Sequence, residues 1–159
     1  MNKINRSAKL AWLFLAGILI FTACKKDDDT AAKQAAKDEQ IIADYLAANS
    51  IEAQRHESGL YYLITDAGTG EQPTINSTVE VFYKGYLTNG TIFDQTTNGS
   101  VTFPLKNLIE GWQIGIPMLK EGGSGTFFLP SALGYGSSAT GSIPANSVLI
   151  FEIDLVTVL

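Results

Sequence analysis

VEVFYKGYLTNGTIFDQTTNGSVTFPLKNLIEGW, residues 79–112, holds two strand-like runs joined by Asn89-Gly90, then Phe93-Asp94, a third short strand, and a tryptophan after a glycine. Val79, Val81, Tyr83 and Leu87 fall on one face of a period-two strand, with Glu80, Lys84 and Thr88 on the other. Asn-Gly predicts a type I′ turn, whose two central residues both take positive φ and whose twist suits a hairpin. A sheet and a short following turn thus deliver three rigid aromatic bodies, Tyr83, Phe93 and Trp112, with one carboxylate, Asp94, among them. That is the composition of an apolar ligand pocket with a single polar handle.

Strand signals continue on both sides of this stretch. Gly59 opens a run from Leu60 to Thr65, ended by Asp66-Ala67-Gly68-Thr69-Gly70. Those glycines superficially suggest a phosphate loop, but no Lys-Ser/Thr and no helical pattern follows, so a turn is expected. Gln113 to Leu119 is apolar and helix-compatible, broken by Gly115 and Pro117; Gly125 to Leu129 reads as a short strand. Pro130 to Asn146 is crowded with Gly, Ser and Ala, and loops this long inside compact domains are usually functional. The last strand spans Ser147 to Leu159, with Leu149, Phe151, Ile153 and Leu155 on one face. Antiparallel strands with one short helix make an α+β domain. Upstream, Ala31 to Asn49 favours helix, and Ile41, Ile42, Tyr45 and Leu46 form a narrow apolar stripe. Asp38 is expected as the cap of its stronger half, and Asn49-Ser50 as its end. One short stripe is little for a stable dimer, so the segment reads as a helical spacer docked on a monomeric domain.

The 159 residues, 45% hydrophobic, suffice for one domain plus extensions. Lys3, Arg6 and Lys9 precede an apolar run from Leu10 to Phe21 and then Thr22-Ala23-Cys24. A run this short describes a secretory signal, because a membrane span needs roughly 20 apolar residues. Thr22-Ala23 before the sole cysteine is similar to the lipobox of bacterial lipoproteins, although Phe21 stands where leucine is usual. That resemblance implies that Cys24 is acylated and becomes the first residue of an outer-membrane lipoprotein. The following Lys25-Lys26-Asp27-Asp28 resembles a surface-export signal of some Gram-negative lipoproteins, which favours the cell surface over the periplasmic face. The expected organisation is a signal peptide over 1–23, an anchored linker and spacer over 24–56, and a folded domain over 57–159. Removing residues 1–23 takes away three of the eleven basic residues and none of the sixteen acidic ones. The remainder, at about −8, would repel phosphate backbones, so nucleic acid is not an expected partner. A lone cysteine forms no intrachain disulfide.

Hydrolytic and metal chemistries find little support. His56 is the only histidine and sits in the polar segment Gln54-Arg55-His56-Glu57, where an exposed linker residue is expected. No His/Cys cluster is present for a metal. Glu110, Glu121, Glu152 and Asp154 read as solvent-facing. Asp94 differs, because it follows Phe93 among apolar residues, where a carboxylate must be hydrogen-bonded or titrate high.

VFYKGYLTNGTIFD, LIEGWQIGIPML, LPSALGYG and SIPANSVLIFEIDL, in this order and spacing, resemble the FKBP-type peptidyl-prolyl isomerases over about Glu57 to Leu159. The resemblance implies a curved antiparallel β-sheet of five or six strands wrapped around one short helix beginning near Ile109. It also implies catalytic roles for Tyr83, Phe93, Asp94 and Tyr135, and substrate contacts from Val101, Leu108, Ile109, Trp112, Ile143 and Phe151. Trp112 would be the floor under the substrate proline ring; the Tyr135 hydroxyl and the Ile143 backbone N–H would donate to ligand carbonyls. Val101 stands where many relatives carry an aromatic residue, so binding of FK506-type macrolides is expected to be weaker than in typical relatives. Proline-containing polypeptides are the implied substrates. Rotation about an X-Pro bond breaks no covalent bond, so the reaction itself calls for no nucleophile, metal or cofactor. Two other classes remain open: a non-catalytic chaperone or binding module for proline-containing segments, and a structural envelope lipoprotein with an inert pocket.

Overall fold

Alternating apolar side chains organise everything around two ten-residue strands. In the computed structural model, which describes residues 25–159, the order is α1 (Lys25–Ala48), β1 (Gln54–Arg55), β2 (Tyr61–Asp66), β3 (Thr78–Leu87), β4 (Ile92–Gln95), β5 (Val101–Pro104), α2 (Glu110–Gly115), β6 (Ser124–Leu129) and β7 (Leu149–Val158). Single 3-10 turns occupy Leu105–Asn107, Ile116–Met118 and Ser131–Leu133. The expected signal segment and Cys24 lie outside the described residues.

The strands form one antiparallel sheet in the order β1-β2-β6-β7-β3-β4, with β5 also on β3. Seven strands are counted against an expected five or six. The two-residue β1 extends one edge, and a polar loop over 96–100 divides the opposite edge into β4 and β5. β4 pairs with residues 84–86 of β3 and β5 with residues 78–81. Because β1 is paired to β2, the hydrogen-bonded sheet starts ahead of the expected boundary at residue 57.

Val79, Val81 and Leu87 of β3 and Phe151, Ile153 and Leu155 of β7 are buried on the concave face, as their alternation predicts. They pack against Trp112 of α2 and against Leu105, Ile116 and Leu119, which flank it. Ile150 breaks the alternation of β7 and is also fully buried. The reason is α1, whose Ile42 and Leu46 cover Phe128, Val148 and Ile150 on the convex face. Each such side chain contributes about 1.5–3 kcal/mol on burial. The predicted stripe therefore docks on the domain.

Four local expectations change. Asn89 does not take positive φ; only Gly90 does in this turn, at 83°. The Gly90 N–H donates to Leu87 O at 2.8 Å and the Leu87 N–H to Thr91 O at 2.9 Å, a three-residue loop with a glycine bulge in place of the type I′ turn. Asp38 caps nothing, because α1 runs unbroken through it; its carboxylate is buried against Ser131. His56 is half-buried in the β1–β2 turn, where its Nδ1 accepts the Ser58 N–H at 3.2 Å. Likewise Glu121 is not simply solvent-facing: it is partly buried and accepts the Val158 N–H at 2.9 Å. The Gly68–Gly70 turn cradles no anion, since the Thr69 and Gly70 N–H groups both donate to Glu121 O.

Candidate active site: an aromatic cleft on the concave face

Trp112 is the base of the site. The α2 helix projects it onto the sheet, where it is only 5% exposed. Three rings meet it edge-on: Tyr83 from β3 at 5.1 Å, Phe103 from β5 at 6.3 Å and Phe151 from β7 at 5.2 Å between centroids. Phe93 of β4 packs edge-on against Phe151 at 5.5 Å. Such edge-to-face pairs each contribute about 0.5–1.5 kcal/mol beyond their buried area, so this base is stiff. The Trp112 indole N–H, though buried, has no acceptor among the described residues. It is the one uncommitted donor of an otherwise apolar floor.

Above this base lies a cleft of about 120 Å³, lined by these rings together with Asp94, Leu108, Ile109 and Tyr135. Gly85 helps to shape it. A Cβ there would lie 2.5 Å from the Phe93 ring and 2.8 Å from that of Phe151, so only glycine lets both rings settle on the strand. Thr96 fixes the wall from behind: its N–H donates to Tyr83 O at 3.0 Å, and its hydroxyl lies 3.3 Å from both Tyr83 N and O.

The polar handle sits at the rim. The Tyr83 hydroxyl donates to Asp94 Oδ2 at 2.6 Å, across the β3–β4 pair. Burial, then this hydrogen bond and the neighbouring Asp94 charge, push the Tyr83 phenol well above its ordinary value of 10.0. Tyr83 thus remains a donor at neutral pH and holds the Asp94 carboxylate in place. Tyr135, 38% exposed, lines the cleft from the long loop.

Eight of the residues expected at the site come together here: Tyr83, Phe93, Asp94, Leu108, Ile109, Trp112, Tyr135 and Phe151. Val101 and Ile143 do not line the cleft. Val101 is half-buried and packs against the main core, paired with Val81. Ile143 is buried, and its N–H donates to Thr140 O at 2.9 Å in a small reciprocal bridge, so it is already committed. Phe103 was not anticipated. It lies two residues after Val101, on the same face of β5, and supplies the aromatic wall that Val101 lacks; the alternation of VTFP contains that signal. The argument for weakened macrolide binding from a missing aromatic wall at Val101 loses that basis. Among the described residues, no group of three or more His, Cys, Asp or Glu side chains is placed to hold a metal.

Comparison with known proteins agrees with this geometry. Residues 69–156 match the model of a family described as FKBP-type peptidyl-prolyl cis-trans isomerase. The chain is 41% identical over 132 residues to the FKBP-type peptidyl-prolyl cis-trans isomerase FkpA of Aeromonas hydrophila, covering 80% of this chain and 49% of that one. Among solved structures it is similar to Escherichia coli FkpA, at 34% identity and a TM-score of 0.70, covering 82% of this chain and 63% of that one. It is similar also to a peptidyl-prolyl cis-trans isomerase from Pseudomonas syringae, at 31% identity and a TM-score of 0.68, covering 79% of this chain and 94% of that one. The chain spans about half the length, or less, of the curated relatives it matches.

Proposed function

The chain belongs to the FKBP-type peptidyl-prolyl cis-trans isomerase family, and on that premise we propose that it rotates X-Pro bonds of polypeptides in the cleft over Trp112. The barrier to that rotation, roughly 20 kcal/mol, comes from the amide resonance of the planar bond. Every 1.4 kcal/mol or so removed from it is a tenfold rate gain. A twisted amide has less charge separation than a planar one, so it loses less on leaving water. A cleft walled by Tyr83, Phe93, Phe103 and Phe151, from which a bound proline ring displaces water, favours the twisted form for that reason. Asp94 and Tyr83 steady one wall, and the Tyr135 hydroxyl is the donor for a carbonyl beside the proline. The observation that carries this reading is the base itself: Trp112 held by three edge-on rings beneath an open cleft.

The wider setting belongs to the same proposal. Residues 1–23 direct export, Cys24 carries lipid, and residues 25–53, with α1 docked on the sheet, connect that lipid to an isomerase domain whose sheet begins at Gln54, at the membrane of the cell envelope on its periplasmic or outer surface. No described helix is long and apolar enough to cross a membrane. The clients are proline-containing exported chains, and macrolides of the FK506 type compete for the same cleft.

Processing at Cys24 removes Trp12 and leaves Trp112 as the sole tryptophan. Titration of the processed protein with a proline peptide should therefore change its tryptophan emission saturably, and a proline-free peptide of equal charge should not. Binding seen by calorimetry with unchanged emission would place the ligand away from Trp112.

A further inference from the structure

The buried carboxylate of Asp38 belongs to no part of the cleft, yet it is tied to one of its walls. Asp38 is fully buried on α1. Its Oδ1 accepts from Gln34 Nε2 at 2.7 Å, and its Oδ2 accepts both the N–H of Ser131 at 2.8 Å and the Ser131 hydroxyl at 2.6 Å. The two residues are 93 positions apart in sequence. A buried carboxylate left short of donors is costly, so the contact fixes where Ser131 sits relative to α1.

Ser131 passes that constraint on. Its carbonyl accepts the N–H of Gly134 at 3.0 Å and that of Gly136 at 2.8 Å, the two residues on either side of Tyr135. Gly136 O in turn accepts the N–H of Asn146 at 2.8 Å, which ties the far end of the long loop to the same point. The backbone that carries Tyr135 over the cleft is thereby referenced, through one residue, to the N-terminal helix. The loop has no long strand or helix of its own to hold it.

We infer that Asp38 is a positioning residue for the cleft: by holding Ser131 it sets the placement of Tyr135 over Trp112, so α1 is a working part of the site as well as a spacer. The inference rests on the isomerase reading above for its kinetic readout. Its structural core is separate from that reading.

The test is a cycle in the full chain, with Asp38→Ala, Tyr135→Ala and the double variant, assayed for kcat/KM on a proline peptide. Asp38→Ala is expected to lower kcat/KM about fivefold in the wild-type background and less than about twofold when Tyr135 is already Ala, since groups that act through one hydrogen-bond network are non-additive. Asp38→Asn should restore most of the loss: its amide oxygen faces Ser131 while its NH2 faces a flipped Gln34 side chain. Hydrogen exchange at the Gly134 and Gly136 amides should quicken in Asp38→Ala while that of Ile150 and Ile153 stays slow. Should Asp38→Ala fail to fold, Ser131→Ala removes only the hydroxyl and is expected to shift the same readouts less. An equal loss in both Tyr135 backgrounds, or unaltered exchange at Gly134 and Gly136, would overturn the inference. If the wild-type protein proves inactive, the isomerase reading fails by itself, and the same cycle read as peptide Kd by calorimetry decides the role of Asp38.

Discussion

Tyr83 and Asp94 behave as one group at the rim of the cleft, joined at 2.6 Å. Replacing the carboxylate with an isosteric apolar group leaves the phenol without its acceptor and frees the ring it steadied. Asp94→Leu should therefore lower kcat/KM on a proline peptide by about tenfold, the effect of losing ~1.4 kcal/mol at the barrier, while circular dichroism stays native. Tyr135→Phe removes a single hydroxyl and should cost about 1 kcal/mol, near fivefold. The tyrosines also make a pH prediction. Tyr83 is raised by burial and then by Asp94, and Tyr86 by burial and then by the Glu152 carboxylate that its hydroxyl meets at 3.0 Å. Above about pH 10 the unfolded chain loses these protons while the folded chain keeps them. Their contribution to stability is complete below pH 10 and declines as pH rises beyond it. Urea midpoints taken from pH 8 to 12 should fall above 10, and fall less steeply in Tyr83→Phe and Tyr86→Phe; identical slopes in all three would refute this. At this scale the sequence was legible where a residue acts through its neighbours on one strand, as Tyr83 and Asp94 do. It was not legible for Asp38, whose partner is fixed only when the helix crosses the finished sheet.

Elements carry the shape of the cleft. The β3–β4 hairpin was readable from alternation and from Asn89-Gly90, but its turn type was not. That choice depends on how β4 registers against β3, where the pairing shifts between Gly85 and Tyr86. The same register brings Phe93 over Gly85, a close approach that no composition rule announces. Gly85→Ala should force the Phe93 ring aside, destabilise the domain by about 1–3 kcal/mol as overpacking does, and lower activity with it; chemical denaturation and the peptide assay check both. On the convex face, α1 was recognisable as a docking helix from Ile41, Ile42, Tyr45 and Leu46. Ile42 is 1% exposed under the sheet, and Ile42→Ala should cost about 2–5 kcal/mol in urea unfolding. A cost within 0.5 kcal/mol would mean that α1 leaves the sheet in solution. Phe103 shows how an element can be legible while one of its residues is less so: β5 is only four residues long, and a single two-residue step from Val101 is all that places Phe103 on the same face.

At the scale of the described residues, a short helix and a curved sheet leave an apolar cleft open on the concave face, and the family match extends over most of that sheet. The amino-terminal segment sets where such a domain would work. Cys24→Ala protein should lose detergent partitioning and leave the membrane fraction; unchanged fractionation would remove the lipid anchor from the proposal. Catalysis in the cleft is tested most directly by following cis-to-trans conversion of a proline peptide with wild-type protein and with Phe93→Ala at equal folded concentration. Wild type should accelerate the conversion in proportion to its concentration, and Phe93→Ala should lose tenfold or more, about 1.4 kcal/mol at the barrier. Equal rates for the two proteins, or no acceleration by either, would contradict an isomerase site over Trp112.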